Sequence, residues 1–220
     1  MSQTATVAIV TGASRGAGRG IAIALGSHGC TVYVTGRSER SGDASLPGTI
    51  HETAASVTAA GGRGIAVRVD HADDAQVEAL FRQVEDDQGR LDILVNNACA
   101  IHDELTTPGN FWEKPRKLAD MIDVGIRSSY IASWYAAPTM VKRKHGLIVF
   151  TSASGAVHYV YGPAYGAHKA SMDKMAADMA IDLAEHKVAA LSMWRGALLT
   201  DRRKRVIAGG PKTYGHPEGW

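Results

Sequence analysis

The run Val7-Ala8-Ile9-Val10 is short, apolar and rich in β-branched residues, and it leads directly into Thr11-Gly12-Ala13-Ser14-Arg15-Gly16-Ala17-Gly18. A β-branched run of this length suits a buried strand. Ile21 to Leu25 continues as a helix that stops at Gly29, so the glycines lie between a strand and a helix N-terminus. Backbone N–H groups at such an N-terminus have no intrahelical partner and favour anions. Glycine permits the tight turn and lets backbone approach a pyrophosphate. The spacing Gly-x-x-x-Gly-x-Gly, with its strand before and helix after, predicts a dinucleotide site with Gly12, Ser14, Arg15, Gly16 and Gly18 around the phosphates.

The rest of the chain repeats the alternation of strand and helix. Thr31 to Thr35 reads as a second strand, Ile65 to Val69 as a third ending in Asp70, Leu91 to Val95 as a fourth, Leu147 to Phe150 as a fifth and Val188 to Trp194 as a sixth. Between them, Thr49-Ile-His-Glu52 is a capping box opening a helix that closes at Gly61-Gly62. Asp73 and Gln76 open another, with Val77, Leu80, Phe81 and Val84 as its apolar stripe and Gly89 as its end. Ser38 to Gly48 and Ile101 to Pro115 are loops, Leu118 to Met140 is a long helical region, and a helix runs from Tyr165 to about Glu185. This order predicts an α/β fold: a Rossmann-type doubly wound parallel sheet with helices on both faces. A chain of 220 residues that is 45% hydrophobic suits one such domain, over 1–200, followed by an atypical basic, Gly- and Pro-containing tail over 201–220.

A formal charge of +2 gives no reason to expect a nucleic-acid or membrane partner. The opening MSQTATVAIV reads as neither signal peptide nor membrane span, and with only Cys30 and Cys99 a reducing cytoplasm fits. The nine histidines include no His-x-x-x-His pair or Cys/His cluster, so no metal site is expected. Gly36-Arg37 follows the second strand where an acid would bind the ribose hydroxyls of NAD. Arg37, with Arg15, can pair instead with a 2′-phosphate, so NADP is the expected cofactor and NAD a possible one.

Tyr165 and Lys169 stand four apart on a helix, on one face, and an ammonium beside a phenol stabilises the phenolate. Ser152, thirteen residues before Tyr165 at the end of a strand, can face the same substrate oxygen. Ser, Tyr-x-x-x-Lys and the glycine loop together resemble the classical short-chain dehydrogenases and reductases. That resemblance implies catalysis by Ser152, Tyr165 and Lys169. It also implies cofactor contacts from Asp70 at the adenine, Asn97 beside the cofactor and Thr200 at the nicotinamide carboxamide, and a homodimer formed through the two long helices. The wording Phe-Trp-Glu-x-Pro, Val-Gly-Ile-Arg and Lys-Met-Ala-Ala-Asp is similar to a branch that reduces carbonyl compounds, including steroids and xenobiotics. Phe111, Trp112, His158, Tyr159 and Tyr161 would line a pocket for a bulky apolar ketone.

The chain departs from the family at three positions and in the stretch after Thr200. Cys99 replaces a glycine after Asn96-Asn97-Ala98, Gly125 replaces an asparagine that holds a water behind the lysine, and Arg195 replaces a proline before Gly196. After Thr200 no stretch supplies both the usual last helix and a seventh strand. The sequence therefore supports two readings: an NADP-dependent carbonyl reductase or alcohol dehydrogenase, or a truncated, weakly active or inactive dinucleotide-binding and dimerisation module.

Overall fold

The computed structural model describes residues 5–208, so the reading of Tyr214 to Trp220, and part of that of the opening segment, falls outside the described residues. Six strands occur among them: β1 Val7–Val10, β2 Thr31–Gly36, β3 Arg63–Arg68, β4 Ile93–Asn96, β5 Gly146–Ser152 and β6 Val188–Trp194. The helices are α1 Gly16–Ser27, α2 Ile50–Ala59, α3 Asp74–Gln88, α4 Ser128–Arg143, α5 Pro163–Leu183 and α6 Asp201–Ala208. All strand pairs are parallel and the sheet order is β3-β2-β1-β4-β5-β6. The order reverses between β1 and β4, and a crevice opens there at the carboxyl ends of the strands.

Both faces of the sheet are covered, which is why β1 and β2 are buried at every position. Val7 and Ile9 pack with Leu80, Met140, Phe150 and Met172 on the side of α3, α4 and α5. Ala8 and Val10 pack with Ala22, Ala54 and Val57 on the side of α1 and α2. Asp92, just before β4, ties the opposite end of the sheet. It accepts from the Val7 amide at 2.9 Å, from Arg90 Nη2 at 2.8 Å and from Arg143 Nη1 at 2.9 Å.

Several expected boundaries move. β3 begins two residues early because Thr31 of β2 already pairs with Arg63, and β4 begins at Ile93 because Asp92 is taken up by those side-chain bonds. The long helix expected over 118–140 is broken. A 3-10 turn, Arg116–Ala119, is followed by a wide turn, Ile122–Arg127, whose Val124 and Gly125 are not helical, and α4 starts only at Ser128. Helix α5 begins two residues before Tyr165, with Pro163 in its first turn, where the missing N–H costs nothing. No strand follows β6 among the described residues, and the basic run Arg202 to Arg205 lies on α6.

Candidate active site

At the β1 end of the crevice, α1 starts with Arg15 at its N-cap, no side-chain cap and no acid in its first turn. Its leading N–H groups are thus free to face an anion. A Cβ on Gly18 would stand 2.4 Å from Asn97 Nδ2 and 2.6 Å from the Gly12 carbonyl oxygen, so only glycine fits. Gly12 itself has φ +63°. Asn97 shapes this cradle from the β4 side: its Nδ2 donates to the Thr11 and Gly12 carbonyls at 2.8 and 3.0 Å, and its N–H to Thr11 Oγ1 at 2.8 Å. Ser14 is buried in the loop and its carbonyl accepts from Thr53 Oγ1. A pyrophosphate suits these residues, which leave a backbone-lined cradle open at a helix N-terminus.

Beyond β2 and β3 the structure brings Arg37 and Asp70 together, with Nη1 3.7 Å from Oδ2 and the arginine 66% exposed. Arg15 turns elsewhere. Its Nε donates to the Pro47 carbonyl at 3.0 Å, and its Nη2 to Ser38 Oγ at 2.8 Å and to the Gly48 carbonyl at 2.7 Å. Burial, then the charges of Arg202 and Arg37, lower its pKa. His71 lies beneath this region, fully enclosed, with Nε2 2.8 Å from Thr35 Oγ1 and its pKa pushed down to about 4 by burial. Nothing in the local sequence marks His71, because its partner Thr35 lies thirty-six residues away on β2.

Ser152 ends β5 opposite Trp194 of β6. It is fully buried, and its Oγ donates to the Lys169 carbonyl at 3.2 Å. Lys169 Nζ donates to the Thr151 carbonyl at 2.9 Å and stands 5.7 Å from the centre of the Tyr165 ring. The ring of Tyr165 rests on Gly155, where a Cβ would come within 2.4 Å of Cε1, and meets the Tyr161 ring edge-on at 5.1 Å and 80°. Tyr161 holds φ +62°, an uncommon conformation for a bulky residue.

The electrostatics correct the sequence argument. Burial raises the Tyr165 pKa, and the cation that works against it is Arg195, not Lys169. Lys169 is itself lowered to about 8, chiefly by burial. Arg195 directly follows Trp194, the partner of Ser152, so the strand register carries a guanidinium to the catalytic end of the sheet. Spacing along the chain gives no sign of this, since Arg195 and Tyr165 are thirty residues apart.

The departures at 99 and 125 meet in space. A Cβ on Gly125 would stand 3.0 Å from His168 Cδ2 and 3.1 Å from Nε2, and His168 Nδ1 lies 3.4 Å from Cys99 Sγ. Burial, with Lys169 and Arg195 next to it, holds the imidazole down to about 3, and burial pushes the Cys99 thiol up to about 11. Both groups are neutral at pH 7.

Phe111, Trp112, His158 and Tyr159 line one cavity of about 490 Å³ with Pro163 and Gly166 of the first turns of α5. Phe111 and Trp112 touch edge-to-face at 5.2 Å yet remain 61% and 69% exposed. Tyr161 covers Tyr165 instead of lining this cavity. Thr200 caps α6, its Oγ1 accepting from the Arg203 N–H at 3.2 Å, and its methyl faces Gly16. Among the described residues there is no group of three or more His, Cys, Asp or Glu that could hold a metal, and no helix long and apolar enough to cross a membrane.

Comparison with known proteins agrees with the fold. Residues 6–209 match the family model described as short chain dehydrogenase. The chain is 42% identical to dehydrogenase/reductase SDR family member 1 of Mus musculus, over 92% of this chain and 63% of that protein's length. It is 31% identical to a 3-oxoacyl-[acyl-carrier-protein] reductase of Synechocystis, over 93% of this chain and 79% of the relative. The crystal structure of a metagenomic short-chain oxidoreductase in complex with NADP superposes with a TM-score of 0.75, at 30% identity, covering 90% of this chain and 84% of the other.

Proposed function

The chain belongs to the short chain dehydrogenase family, and from that premise we propose that it is an NADP(H)-dependent oxidoreductase acting on a carbonyl or secondary alcohol. The observation that carries the reading is the convergence of Ser152, Tyr165 and Lys169 at one end of the sheet, beside a glycine cradle with an uncapped helix N-terminus. When bound, the nicotinamide supplies or takes the hydride. Gly12, Gly16, Gly18 and Asn97 bind the phosphates and ribose, Thr200 lies against the same cradle, and Arg37 holds the 2′-phosphate beside Asp70. Tyr165 gives its phenolic proton to the carbonyl oxygen during reduction and takes it back during oxidation. Arg195 favours the phenolate that remains, and Lys169, an ammonium at neutral pH with its Nζ 5.7 Å from the ring centre, holds the nicotinamide ribose. Ser152 turns its hydroxyl from the Lys169 carbonyl to the substrate oxygen as substrate binds. Residues 1–200 act as a single catalytic domain, which residues 201–208 extend as α6.

The apolar cavity under Phe111, Trp112, His158 and Tyr159 supports a bulky apolar ketone, steroid-like or xenobiotic. Exposed Tyr130 and Trp134, one turn apart on α4, support a homodimer through the long helices. The reducing cytoplasm remains the proposed location. Fluorescence titration with NADPH and NADH, followed by turnover on a panel of ketones, tests the enzyme. NADPH should bind more tightly, Arg37→Ala should remove the preference, and Tyr165→Phe should abolish turnover. Nucleotide binding with no turnover on any ketone would instead support a dinucleotide-binding module without catalysis, the reading favoured by Gly125.

A further inference from the structure

Helix α6 lies over the phosphate end of the crevice. The Thr200 methyl at its start is 3.8 Å from the place a Cβ on Gly16 would take. From this helix two arginines reach the loops on either side of the switch point. Arg202 Nη1 donates to Asp103 Oδ1 at 2.6 Å and its Nη2 to the Ile101 carbonyl at 3.0 Å, both in the turn that follows β4. Arg205 donates to the Ser45 carbonyl in the loop that follows β2. No residue of α6 is buried, so these polar contacts, not apolar packing, set where the helix sits.

The cradle has a shortage of cations. Its own arginine, Arg15, is held by the Pro47 and Gly48 carbonyls and by Ser38. Arg202 stands two residues after Thr200, whose methyl lies 3.8 Å from the place a Cβ on Gly16 would take, and its charge also helps to lower the Arg15 pKa. Its present counter-charge is the carboxylate of Asp103, which is 61% exposed and is shared with Arg205, whose Nη1 stands 3.8 Å from Oδ2. A pyrophosphate in the cradle offers two negative charges in a geometry that a guanidinium fork matches.

We propose that Arg202 is a phosphate-binding residue kept in place by Asp103: on nucleotide binding, its guanidinium leaves the carboxylate for the pyrophosphate and α6 becomes a clamp over the cofactor. The ion pair Arg202–Asp103 is then a competitor of the cofactor, and its two members have opposite effects on affinity. The inference rests on the dinucleotide reading above and adds to it a residue outside the glycine loop. It concerns the phosphates common to both nicotinamide nucleotides, so it is separable from Arg37, which concerns only the 2′-phosphate.

Fluorescence titration of the purified chain with NADPH and with NADH decides it. Arg202→Gln should raise both Kd values about tenfold, the size expected for one charge-assisted hydrogen bond. Asp103→Asn should lower both, and Arg202→Lys should fall between native and Arg202→Gln. Native affinity for both nucleotides in Arg202→Gln would overturn the proposal. So would Asp103→Asn weakening binding as much as Arg202→Gln does, since the pair would then be only a tether for α6. Should Arg202→Gln fail to fold, the sign of the Asp103→Asn change still decides. A native chain that binds neither nucleotide sinks the dinucleotide reading and this proposal together, whereas native binding with an indifferent Arg202 sinks this proposal alone.

Discussion

An asparagine at position 125 would have to begin with a Cβ 3.0 to 3.1 Å from the His168 ring, so the amide and the imidazole compete for one space. Gly125→Asn alone should therefore destabilise the chain by about 1–3 kcal/mol, the usual cost of overpacking. Gly125→Asn combined with His168→Ala should recover most of that loss, and a double-mutant cycle in urea with no coupling would show that the two do not share the space. At the same site, Arg195→Gln removes the charge that opposes the burial-raised pKa of Tyr165. Alcohol oxidation needs the phenolate, so the acid limb of its kcat/KM profile should move to higher pH in this variant. An unmoved limb would leave Arg195 without electrostatic influence on the phenol. Tyr165 and Lys169 were legible in the sequence because a four-residue spacing on a helix is local information. Arg195 was not, since its place follows from Trp194 pairing with Ser152 across two strands. His168 gave no local signal of its place, because the space it fills is opened by a glycine on another element.

Strands and helices followed from local pattern wherever one residue type controlled the boundary: the Thr49–Glu52 capping box, Gly89 ending α3, and the β-branched run of β1. Boundaries set by pairing or by tertiary bonds did not follow. The start of β4 is one such case, because it depends on Asp92, a carboxylate that reaches β1, Arg90 and α4 at once. Burial alone would raise the Asp92 pKa, but the bonds from Arg90, Val7 and Arg143 more than offset this and lower it. Removing the negative charge leaves two arginines facing a neutral amide at the base of the sheet. Asp92→Asn should then cost about 3 kcal/mol, in the range for breaking a buried pair by one partner. A urea midpoint within error of the native value would assign the sheet's lower end to apolar packing instead. The break at Val124 and Gly125 was hidden for a related reason: the sequence around it is helix-compatible, and the kink is made by packing against α5.

Over the whole molecule, the buried neutral histidines link stability to pH. The folded-state pKa of His71 is about 4 and that of His168 about 3, both below the ordinary histidine value, so the unfolded chain takes up protons first as pH falls. Stability should be full above about pH 6.5 and decline toward pH 4, by about 1.4 kcal/mol per pH unit for each histidine. His71→Gln can still hydrogen-bond Thr35 but does not titrate, so its urea midpoints between pH 7 and pH 5 should fall less steeply than those of the native chain. Equal slopes would rule His71 out as a source of the pH dependence. The same burial governs the chain's two sulfurs. Cys30 is buried and raised, and Cys99 is held at about 11 against His168, so neither is a thiolate at neutral pH. Toward alkylating reagents the native chain therefore behaves almost as if it had no cysteine. A single cysteine introduced in place of exposed Phe111 can carry a fluorophore at the cavity mouth without either natural thiol being replaced first.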